Sequence, residues 1–177
     1  MLVRAGQAKV TALDRAGHEV ILGFRGPGQL LGELSAVDAA RRSATVTALE
    51  PLTALGVPGE AFRALLDHRP AVARALLGVL ADRLREADGQ RLEYLAYDVP
   101  GRLARRLAEL AERFGEPADG GVEITLALSQ GELAGWLACS REGVAKALAT
   151  LRGLGWIETR RRHIVVRDLH ALRAYAP

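Results

Sequence analysis

Hydrophobic and polar positions change period partway along the chain. Ala8, Val10 and Ala12 fall on one face of an alternating run, Asp14-Arg15-Ala16-Gly17 supplies turn residues, and Val20, Leu22 and Phe24 resume at period two. That pattern predicts a hairpin. Gly26-Pro27-Gly28 marks another turn, and residues 44–49 and 52–57 read as short strands split by Glu50-Pro51. Short strands at this spacing predict a small antiparallel barrel or roll. At Pro58 the period becomes helical. Phe62, Leu65 and Leu66 predict a short amphipathic helix, and a longer one runs over residues 70–97. On the longer one Leu77, Leu80, Leu84, Leu92 and Leu95 make a stripe, with Arg83, Arg85, Glu86 and Glu93 off it. At 1.5 Å per residue it is about 40 Å long. A small roll covers too little of such a stripe, so the expectation is a dimer helix; packing within its own subunit is the alternative.

Asp98-Val99-Pro100-Gly101-Arg102 breaks the stripe. Asp98 is a cap and Pro100 fits a first helical turn, after which Leu103, Leu107, Leu110 and Ala111 lead to Phe114. Residues 115–121 read as a loop. The boundary between a regulatory half and a C-terminal half is expected here, with residues 98–102 as hinge. Residues 128–154 read LSQGELAGWLACSREGVAKALATLRGL. Ser129 and Glu132 fit a capping box, Ala138-Cys139-Ser140 is a three-residue break, and Val144, Ala147, Leu148 and Leu151 mark a second helix. Two such helices with so short a turn predict a helix-turn-helix. Arg141, Glu142 and Lys146 lie on the exposed N-terminal face of the second helix, where Arg or Lys can donate to guanine and Glu can accept from cytosine. Trp156-Ile157-Glu158 and His163-Ile164-Val165-Val166 predict two strands around Thr159-Arg160-Arg161-Arg162, a basic wing suited to phosphate. The candidate DNA-contacting set is Ser129, Ser140, Arg141, Glu142, Lys146, Arg160, Arg161 and Arg162. A plain helical hairpin with surface charge is the alternative.

Composition narrows this little. The 177 residues, 49% hydrophobic and 25% charged, suit one medium domain or two small ones. The sequence holds no membrane-length apolar run of ~18 residues and no secretory signal pattern, so no membrane partner is expected. The single cysteine, Cys139, excludes an intrachain disulfide framework or a four-cysteine metal site and fits a reducing cytoplasm. It reads as a packing residue rather than a redox sensor. His18, His68, His163 and His170 lack i, i+4 pairing, so no metal site is expected. Charge is more informative by position. Residues 1–100 carry 12 Lys/Arg against 12 Asp/Glu and residues 101–177 carry 12 against 9, so the whole net charge of +3 sits in the C-terminal part. That points to a polyanionic partner, a solvated charged face being the alternative.

One stretch stands apart. Residues 31–46, LGELSAVDAARRSATV, place an acid at one end and an Arg-Ser pair at the other. An ordinary surface loop would do this, and so would a phosphate clamp, with Glu33 for a sugar hydroxyl and Arg42 for a phosphate oxygen. An enzyme with Glu33 and Asp38 as paired carboxylates is a third reading. It lacks an obvious nucleophile, and the Arg-Ser pair favours binding.

Taken together, the chain resembles the cAMP receptor protein family, the CRP/FNR-type bacterial transcription regulators. ACSREGVAKAL is similar to that family's turn and recognition helix, YDVPGRLA to its junction between dimer helix and DNA-binding domain, and GEL…RRSAT to its phosphate-binding cassette. The resemblance implies an α+β chain: a partial cyclic-nucleotide-binding β-roll over residues 1–66, a dimerisation helix and hinge over 67–98, and a winged helix-turn-helix over 99–177. It implies a homodimeric, cytoplasmic, sequence-specific regulator of double-stranded DNA with two-fold related half-sites, not an enzyme, and leaves RNA polymerase open as a further partner. It implies no prosthetic group, but an allosteric effector, cAMP or another cyclic nucleotide. Gly32, Glu33 and Leu34 would start the cassette, with Glu33 on the ribose 2′-hydroxyl and Arg42 and Ser43 on the cyclic phosphate.

Three departures qualify it. Where cAMP-responsive members present a hydroxyl or amide pair to the adenine, this chain has Ala87-Asp88, leaving Asp88 as the candidate base contact; a vestigial cassette is the alternative. Lys146 replaces an arginine and lacks its planar fork. Some tens of residues that precede the GQAKVTALD hairpin in the family are absent from this sequence. A start assigned too late is the expectation, a truncated regulator the alternative.

Overall fold

A computed structural model describes residues 1–126, 128–160 and 163–175. The chain forms two compact units, residues 1–89 and 90–177.

In the first unit β1 (Leu2–Ala5) pairs antiparallel with β5 (Thr53–Leu55), and β2 (Ala8–Leu13) lies between β3 (Glu19–Arg25) and β4 (Thr45–Ala48). The hairpin forms where alternation and turn chemistry put it: Asp14 Oδ1 accepts from the backbone N–H of Ala16 and His18, both at 2.8 Å. A bulge between Val10 and Thr11 shifts the register, so Val10 faces Gly23 while Thr11 faces Ile21. Val3, Ala8 and Leu31 are sealed in a small core with Val10 and Leu52 packed against it. Between β3 and β4 the chain makes one helical turn, α1 (Leu34–Asp38), inside the stretch read as a loop. Five residues without a side-chain cap leave almost no helical signal. Then come α2 (Gly59–His68) and α3 (Pro70–Ala96), whose residues from Gln90 on belong to the second unit. Most of the α3 stripe is bare: Leu77, Leu84 and Leu92 are 61–65% exposed and Leu95 is 87% exposed, while Leu80 is half-buried.

The second unit is built on α4 (Val99–Phe114), whose Leu103, Leu107 and Leu110 are almost wholly buried. Asp98 caps it, accepting from the Gly101 N–H at 2.8 Å. Residues 115–121, expected as a loop, belong to a hairpin of β6 (Gly115–Ala118) and β7 (Gly121–Ile124). Its Gly-Pro content hid the strands, which are held by neighbours far along the chain: the four-stranded order is β6-β7-β9-β8, with β8 Ile157–Arg160 and β9 His163–Val166. The helix-turn-helix is α5 (Gln130–Leu137) and α6 (Arg141–Gly153). A short α7 (Leu169–Ala174) seals Leu172 against the core.

Candidate functional site

Within the first unit, the segment from Leu30 to Ser35 and the Arg42–Val46 run border a cavity of about 400 Å³. Gly32, Glu33, Leu34, Arg42 and Ser43, all singled out from sequence, line it together. Gly32 sits at φ +72°, and a Cβ there would overlap the Arg42 guanidinium, so only glycine lets that arginine fold back. Arg42 Nη1 donates to the Gly32 carbonyl at 2.7 Å. Val10, Leu22 and Val46 supply an apolar wall.

Glu33 is 5% exposed. Its Oε1 accepts from Arg83 of α3, which also donates through Nη2 to the Leu30 carbonyl at 2.8 Å. Its Oε2 is buried without a hydrogen-bond partner among the described residues. A buried carboxylate oxygen with no donor is costly, and a hydroxyl entering the cavity would satisfy it. Arg25, Arg42 and Arg83 line the cavity against the single carboxylate of Glu33, so its net character is cationic. Arg83 and Arg25 were not singled out from sequence. Arg83 lies off the leucine stripe like any solvent-facing charge, and only its fold partner 50 residues away marks it. Asp88 does not border this cavity; it lies exposed on α3, on the side of the leucine stripe.

In the second unit the capping box is complete. Ser129 Oγ accepts from the Glu132 N–H at 3.2 Å while the Glu132 carboxylate accepts from the Ser129 N–H at 2.9 Å. Ser140 Oγ accepts from the Gly143 N–H at 3.0 Å and so starts α6. Each serine Oγ thus caps its helix as an acceptor, and the Ser129 hydroxyl also donates to the Glu132 carboxylate at 2.8 Å. Ala138 takes a left-handed conformation, φ 46°, to end α5. Arg141, Glu142 and Lys146 are exposed on the first turns of α6 while Val144, Ala147 and Leu148 are buried behind them. A Cβ on Gly131 would lie 3.3 Å from the Arg141 guanidinium, which leans over the start of α5. Arg160 ends β8 with an exposed side chain; Arg161 and Arg162 lie outside the described residues. Cys139, in the turn, is partly buried, and burial pushes its thiol pKa up, against a smaller opposing pull from Arg102.

Residues 1–69 match the cyclic nucleotide-binding domain family and residues 101–175 match the Crp-like helix-turn-helix domain family. The chain is 34% identical over 171 residues to a CRP-like cAMP-activated global transcriptional regulator of Mycobacterium tuberculosis, covering 97% of this chain and 76% of that protein. This chain belongs to the CRP/FNR family of transcription regulators. It is also 32% identical over 176 residues to the cyclic AMP receptor protein of Thermus thermophilus, covering 99% of this chain and 78% of that one. A solved CRP-family transcriptional regulator of the same organism superposes with a TM-score of 0.78 at 28% identity, over 97% of this chain and 84% of that one. The expected α+β architecture of roll, long helix and winged helix-turn-helix is borne out, and the chain is a DNA-binding transcription regulator carrying a cyclic nucleotide-binding domain. Among the described residues no helix is long and apolar enough to cross a membrane.

Proposed function

We propose that this chain is a homodimeric, cytoplasmic transcription factor, without catalytic activity, whose DNA binding is set by a cyclic nucleotide held in the Glu33–Arg42 cavity. The observation that carries the reading is the buried, unpartnered Glu33 Oε2 in a cavity lined by three arginines. The first asks for a hydroxyl donor and the second for an anion, and a ribose cyclic phosphate offers both. Arg42 would exchange the Gly32 carbonyl for a phosphate oxygen, Ser43 would donate beside it, and Gly32 and Leu34 would shape the near wall. The apolar wall would take the base, with Asp88 as the remaining candidate for its polar edge. cAMP is the first candidate effector.

On DNA, Arg141, Glu142 and Lys146 would read bases, with Arg160, Arg161 and Arg162 on phosphates. Ser129 and Ser140 would present their helix N-termini to phosphate. The bare leucine stripe of α3 supports pairing with a second copy, which fits two-fold related half-sites about one helical turn apart. RNA polymerase would be a further partner. The domain division that goes with this reading is 1–66, 67–98 and 99–177.

Calorimetry with cAMP and cGMP tests the effector. Heat with cAMP that vanishes in Arg42→Ala supports the reading. Absence of heat with both nucleotides overturns nucleotide control and favours a regulator of the same type with a vestigial cassette, effector-independent or answering a non-nucleotide ligand.

A further inference from the structure

The last turns of α3 carry side chains that neither the cavity nor the DNA-reading face uses. Glu93 and Tyr94, with Tyr97 just beyond the helix, belong to the same compact unit as the helix-turn-helix. Arg106 of α4, 8% exposed, binds three groups at once. Its Nη2 donates to Glu93 Oε2 at 2.6 Å, its Nη1 donates to Glu109 Oε2 at 2.9 Å, and its guanidinium carbon lies 5.3 Å from the centre of the Trp136 ring. A buried guanidinium needs such partners, and it ties whatever carries them together.

The Tyr94 hydroxyl adds a second tie, donating to the Trp136 carbonyl at 3.0 Å. That carbonyl lies in the last turn of α5, where a helix has no acceptor-filling N–H of its own. Partial burial pushes the Tyr94 pKa up, ahead of the opposing pull of Arg106 and Arg102, so the hydroxyl keeps its proton and stays a donor. Around it Arg102 stacks on Tyr94 at 5.2 Å and donates to the Tyr97 carbonyl at 2.8 Å, while Arg105 stacks on Tyr97 at 4.1 Å. Only Leu137, Ala138, Cys139 and Ser140 separate Trp136 from Arg141, the first residue of α6.

We propose that Tyr94, together with Glu93 acting through Arg106, positions the recognition helix by gripping the end of α5 and thereby fixing the turn that aims Arg141, Glu142 and Lys146. The end of α3 then addresses the base-reading helix directly, as well as through the Asp98 junction. This rests on those three residues reading bases, so the experiment carries a control for that reading.

The test uses Tyr94→Phe, which removes only a hydroxyl, and Glu93→Gln, which keeps the shape of the side chain. Each is measured on a duplex selected by the wild-type protein from a random pool and on random duplex, with hydrogen exchange followed by mass spectrometry. Each variant is expected to lose roughly two- to tenfold on the selected duplex, one hydrogen bond's worth, and nothing on random duplex. Exchange should quicken in residues 90–98 and 130–140 together, at an unchanged unfolding temperature of the rest. Equal loss on both duplexes, no loss on either, or unmoved exchange in 130–140 would overturn the proposal. Arg141→Ala is the control. If it leaves the selected duplex preferred, the base-reading assignment fails instead, and exchange in residues 130–140 alone decides the grip, faster upholding it and unchanged overturning it.

Discussion

Replacing Arg83 by leucine should damage the first unit more than neutralising its partner Glu33, although the two changes break the same ion pair. The reason is which group is left behind. The Glu33 side chain is 4% exposed and that of Arg83 is 23% exposed. Arg83→Leu strips Glu33 Oε1 of its donor next to an Oε2 that already has none, and removes the donor to the Leu30 carbonyl. Breaking a buried pair this way costs 3–5 kcal/mol; with Arg83 partly hydrated, about 3 kcal/mol is the better figure. Glu33→Gln leaves a neutral oxygen that still accepts from Arg83 and lets the freed charge hydrate, a cost of about 1 kcal/mol. The difference, about 2 kcal/mol, is roughly 30-fold in the unfolding constant. Both tryptophans, Trp136 and Trp156, lie in the second unit, so the first is followed by far-ultraviolet circular dichroism. In urea the dichroism transition should move to lower denaturant in Arg83→Leu while tryptophan fluorescence stays put. Equal destabilisation by the two substitutions would refute the argument that Glu33 is held as a buried, charged acceptor.

Two further outcomes follow from exposed and buried groups elsewhere. Leu84→Glu, at a position 61% exposed in the single chain, should leave the dichroism unchanged yet convert a dimer to a monomer in sedimentation equilibrium; a surviving dimer would show that the leucine stripe is not the contact. Because burial raises the Cys139 pKa, its thiolate is scarce near neutrality. Iodoacetamide should therefore modify the folded protein more slowly than the urea-unfolded chain, and rapid modification of the folded protein at neutral pH would contradict that.

The parts legible in the sequence are those whose cause is local. The capping box at Ser129 and Glu132 and the cap at Asp98 are each written within four residues, and each forms as written, while Ser140, read as part of the break, turns out to cap α6. The β6–β7 hairpin was missed because its cause is not local. Gly115-Glu116-Pro117-Ala118 does not alternate, and β7 is held from its other side by β9, some forty residues on. The helix α7 did carry a local signal, the Asp168 side chain accepting from the Ala171 N–H at 2.8 Å, but six residues make too little stripe to read. Gly32, Glu33, Arg42 and Ser43 could be picked out because they crowd one stretch. Arg83 could not, since a charge off an apolar stripe looks the same whether it meets water or a buried carboxylate. Glu93, in the same position for the same reason, meets Arg106.

The helix α3 also sharpens what the effector reading requires. At about 100° per residue, Leu77, Leu84, Asp88 and Leu95 lie within about 40° of one another, whereas Arg83, Ala87 and Tyr94 share a different side. Of the Ala87-Asp88 pair, the member on the Arg83 side is therefore the alanine, whose methyl can pack against a base but offers it no hydrogen bond. Asp88 lies on the stripe proposed to meet a second copy. On that reading, a base bound beside Arg83 gets no polar side-chain contact from the Ala87 position of its own helix, and Asp88 can recognise it only across the dimer. A monomeric variant such as Leu84→Glu should then retain affinity for the sugar phosphate through Glu33 and Arg42 while losing discrimination between cAMP and cGMP. A monomer that still discriminates would place the base-reading group within a single chain, among the residues lining the cavity rather than at Asp88.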